Sequence, residues 1–462
     1  MNYQKLSSKD KKYLWHPFTQ QREWEADPDI PIIVSGKGTY LYDAKGKKYL
    51  DGVSSLWCNV HGHQVPQIDR AIQKQLKKIA HSTMLGSSNE PAILLAEKLV
   101  KLAPKGLTRV FYSDSGSEAN EIGMKMAFQY WKQTFPAKLS KKMFVTIKEG
   151  YHGDTIGSVS LGGINLFHGI FGPLLFKTFQ APSPHSFRNG RSMDSKEWLD
   201  ESVSAVEKLF KKHYKQIAAL HMEPLIEGAG GMLVHPFGFL KAMRRLCDKY
   251  QVLLILDEVA TGFGRTGTMF ACEQEGVRPD ILCLAKNLTG GYLPLAATLT
   301  TEKVYRAFLG PFESGRTFYH GHTFTGNQLG CAAALANLEL IGKKGFLPAV
   351  QETARLLEKW MRPLKSHPHV EDIRLVGLMG GIDLIKDKST GEEYPYAQKL
   401  GYKVCAEARK RGVLLRPLGN TIVLMPPLGI SVKDLDRLVD VLYDSIHEAT
   451  RQIFQVKGRK GR

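Results

Sequence analysis

Two residues in the middle of the chain stand where chemistry is expected. Asp257 closes the apolar run 252–256, and Lys286 follows the next such run, Ile281–Leu284. Apolar runs this short read as buried strands, and open α/β sheets bind ligands at the carboxyl ends of their strands. An amine and a carboxylate at neighbouring strand ends can serve one chemistry together. The amine condenses with an aldehyde to an imine, while the carboxylate keeps a pyridine nitrogen protonated so that the ring accepts electrons. Those are the demands of pyridoxal 5′-phosphate (PLP). A lysine in this role must be partly desolvated, with its pKa drawn towards roughly 7 to 8. Each residue also has a plainer reading, Asp257 and Glu258 as caps of a turn and Lys286 as a surface charge.

A phosphate needs its own cradle. The segment Ser113-Asp-Ser-Gly-Ser-Glu-Ala119 links the apolar run 109–112 to a stretch with Ile122, Met126 and Tyr130 at helical spacing. Its small residues would leave backbone N–H groups free at the positive end of a helix. Ser115 and Glu118 equally satisfy an ordinary capping box. Gly262-Phe-Gly-Arg-Thr-Gly267 spells the dinucleotide fingerprint, but it starts several residues past its strand and no long helix follows. His61-Gly-His63 and His320-Gly-His322 resemble paired metal ligands, yet neither has an acidic or cysteine ligand at a telling spacing, so no metal is expected.

The elements that must position these residues follow from the rest of the chain. At 462 residues it exceeds one ordinary core, which predicts two or three regions around a large central unit. The runs Met143–Ile147, Ile217–Met222 and Ile281–Leu284 alternate with helix-length segments, predicting an α/β fold with a mainly parallel sheet covered by helices on both faces. Strands near 377–384 and 421–425, with helices over 398–411 and 432–450, predict a smaller C-terminal α/β domain. A hairpin around the turn 43–47 places the first residues beside it. The expected organisation is therefore an N-terminal segment 1–60 packing with the small domain, a large domain 61–345, a small domain 346–455 and a basic, unstructured tail 456–462.

Composition narrows the partners. No apolar run approaches the roughly 18 residues of a membrane span. Residues 1–12 are polar and basic, unlike a secretory signal, so the cytoplasm is the expected compartment. The net charge of +18 is spread along the chain apart from the basic run 457–462, and a nucleic-acid partner is not expected. Six scattered cysteines read as reduced core thiols.

Taken together, the segments resemble the class III, fold type I PLP aminotransferases along nearly the whole chain. The run Leu256-Asp-Glu-Val-Ala-Thr-Gly-Phe-Gly-Arg-Thr-Gly267, then Lys286 ahead of Thr289-Gly-Gly291, carries the likeness most specifically. Trp15-His-Pro-Phe18, Gly150-Tyr-His-Gly-Asp154, His320-Gly-His-Thr-Phe324 and Arg416-Pro-Leu-Gly419 resemble the branch that converts 8-amino-7-oxononanoate (KAPA) to 7,8-diaminopelargonate (DAPA) in biotin synthesis. The resemblance implies a large domain with a seven-stranded sheet and a small α/β domain built from both termini. It implies Lys286 as Schiff-base lysine, Asp257 at the ring nitrogen and Tyr151 stacked on the ring. Ser115, Gly116 and Ser117 would hold the phosphate, Glu223 the cofactor's periphery, and His322 and Thr323 would join the cofactor site, Thr323 from a partner subunit of a homodimer. Phe18, Leu56, Trp57, Tyr151, Lys286, Gly321 and Arg416 would meet substrate, Arg416 pairing with the KAPA carboxylate.

The amino donor stays open between S-adenosylmethionine and L-lysine. Phe18, Leu56 and His322 depart from the pattern of the S-adenosylmethionine users and look more like the lysine-using branch. A transaminase of ω-amino acids or diamines would share Asp257 and Lys286, and a NAD-dependent dehydrogenase built on the Gly262 loop is the remote alternative.

Overall fold

The structure, a computed structural model, describes residues 2–134 and 141–459, with side chains through residue 451. Its centre is a seven-stranded sheet of β1 (Leu107–Ser113), β2 (Met143–Ile147), β3 (Phe179–Ala181), β4 (Ile217–Met222), β5 (Leu253–Asp257), β6 (Ile281–Leu284) and β7 (Ala296–Thr301). The spatial order is β1-β7-β6-β5-β4-β2-β3. β7 runs antiparallel to both neighbours and the other six strands run one way.

Alternate residues of the central strands enter opposite cores, which is why these runs are apolar without a break. Leu253, Ile255, Ile281 and Cys283 pack with Ile122, Met126, Tyr130 and Trp131 of the helix Gly116–Thr134. Leu254, Leu256, Leu282 and Leu284 join the opposite core with Phe239, Leu240 and Met243 of the helix Phe239–Lys249. The expected strand 252–256 lies one residue later, so Asp257 is the last residue of β5 rather than the first of a loop. Across the parallel pair Asp257 is in register with Cys283, three residues before Lys286.

The C-terminal region forms a four-stranded antiparallel sheet ordered Val370–Val376, Met379–Leu384, Thr421–Leu424, Arg416–Leu418. The expected strand 377–384 starts at Met379, because Gly377 takes φ +62 in the turn before it. The predicted hairpin forms from Tyr40–Asp43 and Lys48–Asp51. Val413–Leu414 adds to Lys48–Asp51 in parallel, which ties the two ends of the chain together. The helix predicted over 432–450 continues to Arg459, since no glycine or proline interrupts it before Gly458. Residues 456–459, expected to be unstructured, thus continue that helix, and 460–462 lie outside the described residues. All six cysteines are free, and among the described residues no helix is long and apolar enough to cross a membrane.

Candidate active site

Asp257 is buried at the end of β5, and burial alone would push its pKa up. Three donors oppose this. His152 Nδ1 at 2.8 Å and Asn120 Nδ2 at 2.7 Å donate to Oδ2, and the Val259 amide donates to Oδ1 at 3.0 Å. The net effect holds the carboxyl below its ordinary range, ionised and able to face a cationic ring nitrogen. Asn120 also donates to the His152 carbonyl at 2.9 Å and accepts from His221 Nε2 at 3.0 Å. Burial holds the His221 pKa well below its usual value, so a neutral imidazole braces the far side of Asn120.

The neighbouring Glu258 points elsewhere. It accepts from the Ala271 and Cys272 amides at 2.7 and 2.9 Å and so caps the turn at Ala271, whereas Asp257 caps only the Val259 amide and otherwise faces His152 and Asn120. The glycine-rich loop that follows is a joint to the small domain, with buried Arg265 donating to the carbonyls of Pro426 (2.5 Å) and Leu378 (3.3 Å). No long helix starts there for a pyrophosphate to cap.

Lys286 opens the short helical turn Lys286–Thr289 with its backbone at φ +39. Burial lowers the pKa of its amine, against the pull of Asp257 and Glu223, and so favours the nucleophilic neutral form. Its Nζ lies 5.4 Å from the centroid of the Trp57 ring. Trp57 ends a segment, Ser54–Trp57, whose four residues all have positive φ, at 50, 49, 74 and 72°. The bonds Trp57 N to Val53 O (2.8 Å) and Cys58 N to Ser54 O (3.1 Å) make it one turn of left-handed helix. For L-residues that conformation costs about 1–2 kcal/mol each.

At the start of the helix Gly116–Thr134 the capping box forms. Glu118 accepts from the Asp114 and Ser115 amides at 2.7 and 3.0 Å, and Ser115 Oγ accepts from Glu118 N at 3.3 Å, which completes the capping box. The next amides, of Gly116 and Ser117, belong to the first turn and lack helical partners. The cradle is tight. A Cβ on Gly116 would come within 2.7 Å of Val259, and one on Gly153 within 1.9 Å of Ser117 Oγ.

Tyr151 donates its amide to Glu223 at 3.1 Å and its hydroxyl to Asp154 at 2.7 Å. Glu223 also accepts from the Gly228 amide at 3.0 Å, and burial pushes its pKa up to about 7. These groups meet in a cavity of about 420 Å³. Of the residues expected from sequence, Lys286, Asp257, Tyr151 and Glu223 line it, as do Trp57 and the trio Ser115, Gly116 and Ser117.

The remaining expected residues lie outside that lining. Phe18 is 52% exposed and packs edge-on against Phe167, and Leu56 is exposed on the left-handed turn. Gly321 and Thr323 sit on an exposed loop, where His322 lies 3.1 Å from His320. Arg416 is exposed on the small-domain sheet. Sequence reasoning missed Asn120, His152 and His221. His152 lies inside the segment Gly150-Tyr-His-Gly-Asp154, and His221 is the one ionisable residue in the apolar strand Ile217–Met222, a signal legible in the sequence.

A buried amine whose pKa is lowered, a carboxylate kept ionised and a tight helix start of small residues suit no reaction of side chains alone. They suit PLP, and on this sheet they define a fold type I PLP-dependent transferase. The chain belongs to the class III aminotransferases, whose family profile, aminotransferase class-III, matches residues 23–446.

Adenosylmethionine-8-amino-7-oxononanoate aminotransferase of Geobacter sulfurreducens is 48% identical over 97% of this chain and 98% of its own length. The protein of that name from Aquifex aeolicus is 50% identical with the same coverages. The crystal structure of adenosylmethionine-8-amino-7-oxononanoate aminotransferase from Methanocaldococcus jannaschii superposes with a TM-score of 0.91 at 47% identity, over 97% of this chain and 99% of that one.

Proposed function

We propose that this chain transfers an amino group to KAPA, forming DAPA in biotin synthesis, by a ping-pong transamination. The observation that carries the reading is the meeting of Lys286 and Asp257 in one buried cavity, in a chain whose relatives at 47 to 50% identity bear that activity in their names. Bound PLP supplies an electron-accepting ring. Asp257 holds a proton at the ring nitrogen, and the Ser115–Ser117 cradle takes the phosphate. Lys286 Nζ, its pKa lowered by burial, removes the proton from the substrate carbon and returns it. Tyr151, pinned by Asp154, covers the ring, Glu223 supports its edge, and Trp57 helps to exclude water. Arg416, exposed and without a carboxylate partner among the described residues, receives the carboxylate of KAPA.

S-adenosylmethionine is the donor that the relatives' names favour, and L-lysine is the one favoured by Phe18, Leu56 and His322. We further assign a cytoplasmic homodimer that binds no nucleic acid, with Thr323 reaching the partner's cavity and His322 joining the cofactor site. The exposure of Tyr319 (74%) and Phe324 (52%) around that loop supports the assignment. Purified protein loaded with PLP is given KAPA and either donor, and DAPA is measured by mass spectrometry. One donor supports turnover. Activity with neither, together with turnover of an ω-amino acid or diamine, overturns the reading.

A further inference from the structure

We propose that the left-handed turn Ser54–Trp57 is a strained clamp that sets the Trp57 ring against the Lys286 amine, with Asp51, Ser55 and Arg265 as its positioning residues. The inference rests on the assignment of Lys286 as the reacting amine.

Four successive non-glycine residues at positive φ do not hold that shape unaided, because each Cβ crowds the following carbonyl. The turn's own backbone bonds leave that crowding in place, so the constraint must come from outside the turn. Ser55 Oγ donates to Asp51 Oδ2 at 2.7 Å, and Asp51 is buried at the end of the strand Lys48–Asp51. Ser54 Oγ donates to the Met425 carbonyl at 2.6 Å and accepts from Arg265 Nη2 at 3.3 Å.

Arg265 is fully buried and, among the described residues, meets no carboxylate. Its Nη1 reaches only the carbonyls of Pro426 and Leu378, and its buried Nε has no partner among the described residues. A buried guanidinium spent on carbonyls and one hydroxyl is a costly strut unless the geometry it holds is needed. What it holds is the turn that carries Trp57, whose buried Nε1 has no partner and whose ring stands 5.4 Å from Lys286 Nζ. Reversing the hand of the turn would carry that side chain to a different side of the backbone. Strain that the surroundings over-determine at a ligand site is a device of position rather than stability.

Two measurements test this. Glycine takes positive φ freely, and the Leu56 side chain is half-exposed, so Leu56→Gly in the PLP-loaded enzyme is expected to leave Tm unchanged or raise it. A lowered Tm, the ordinary result of glycine in a right-handed helix, overturns the strained turn. Ser55→Ala removes the tether to Asp51 and loosens the ring from the amine. The pH midpoint of the cofactor's visible absorbance should then fall by about half a unit, as the aromatic face gives up its attraction for the cationic form. kcat should fall about tenfold through misplacement.

A merely structural serine would lower Tm and leave the midpoint alone. An unchanged or raised midpoint with normal kcat overturns the clamp. If Ser55→Ala does not fold, Ser55→Gly removes the same tether without strain and carries the titration. Full turnover by Lys286→Ala would instead refute the lysine assignment, whatever the turn does.

Discussion

His152 Nδ1 lies 2.8 Å from Asp257 Oδ2, with both residues buried. A carboxylate only accepts, so this nitrogen carries the proton, and the histidine supplies charge stabilisation that burial denies to Asp257. His152→Ala leaves a buried carboxylate short of a donor. The expected loss is roughly tenfold or more in kcat, with weaker retention of PLP, measured by steady-state kinetics and dialysis. Asp257 is held below its ordinary pKa, so its contribution to stability is present above the ordinary carboxylate range and lost as pH falls through the lowered value. The acid limb of a Tm-against-pH curve should therefore differ between His152→Ala and the parent.

Lys286→Ala should retain the fold, because among the described residues the amine makes no hydrogen bond on which the core depends. Turnover is expected to fall by at least about a thousandfold, on the scale of lost acid–base catalysis. Bound PLP should lose the pH-dependent change in its visible spectrum. DAPA formed at the parent rate would refute the assignment.

Burial raises Glu223 from 4.5 to about 7, so the folded protein binds a proton that the unfolded chain has released. That group costs stability as pH rises through this window. Glu223→Gln apoenzyme should gain Tm relative to the parent between pH 5 and pH 8, an interval of about the same width. A constant difference across the window would mean that Glu223 does not titrate there.

Arg416→Ala should raise KM for KAPA by about tenfold with kcat little changed, the pattern of a lost uniform binding contact. Tm should stay the same, because Arg416 is exposed. A fall in kcat alone would move Arg416 away from the substrate carboxylate.

The sequence by itself determined the elements that are uniform along their length. Met143–Ile147, Ile217–Met222 and Ile281–Leu284 are legible because strands covered on both faces are apolar throughout. It also placed Asp257 and Lys286 at strand ends, and the chain-long resemblance implies their roles at the cofactor.

The resemblance singled out Asp257, and the tertiary structure gives the physical reason that Asp257 and not Glu258 faces the cavity. Successive strand-end residues point to opposite faces, and composition does not say which face holds the cavity. It likewise joined Asn120 to His221 across 101 positions and to Asp257 across 137, contacts that exist only after the sheet has ordered its strands. The left-handed hand of Ser54–Trp57 had no local sign at all, since serine, leucine and tryptophan avoid positive φ. Its anchors are the nearby Asp51 and, from distant parts of the chain, Arg265 and Met425, 211 and 371 positions from Ser54.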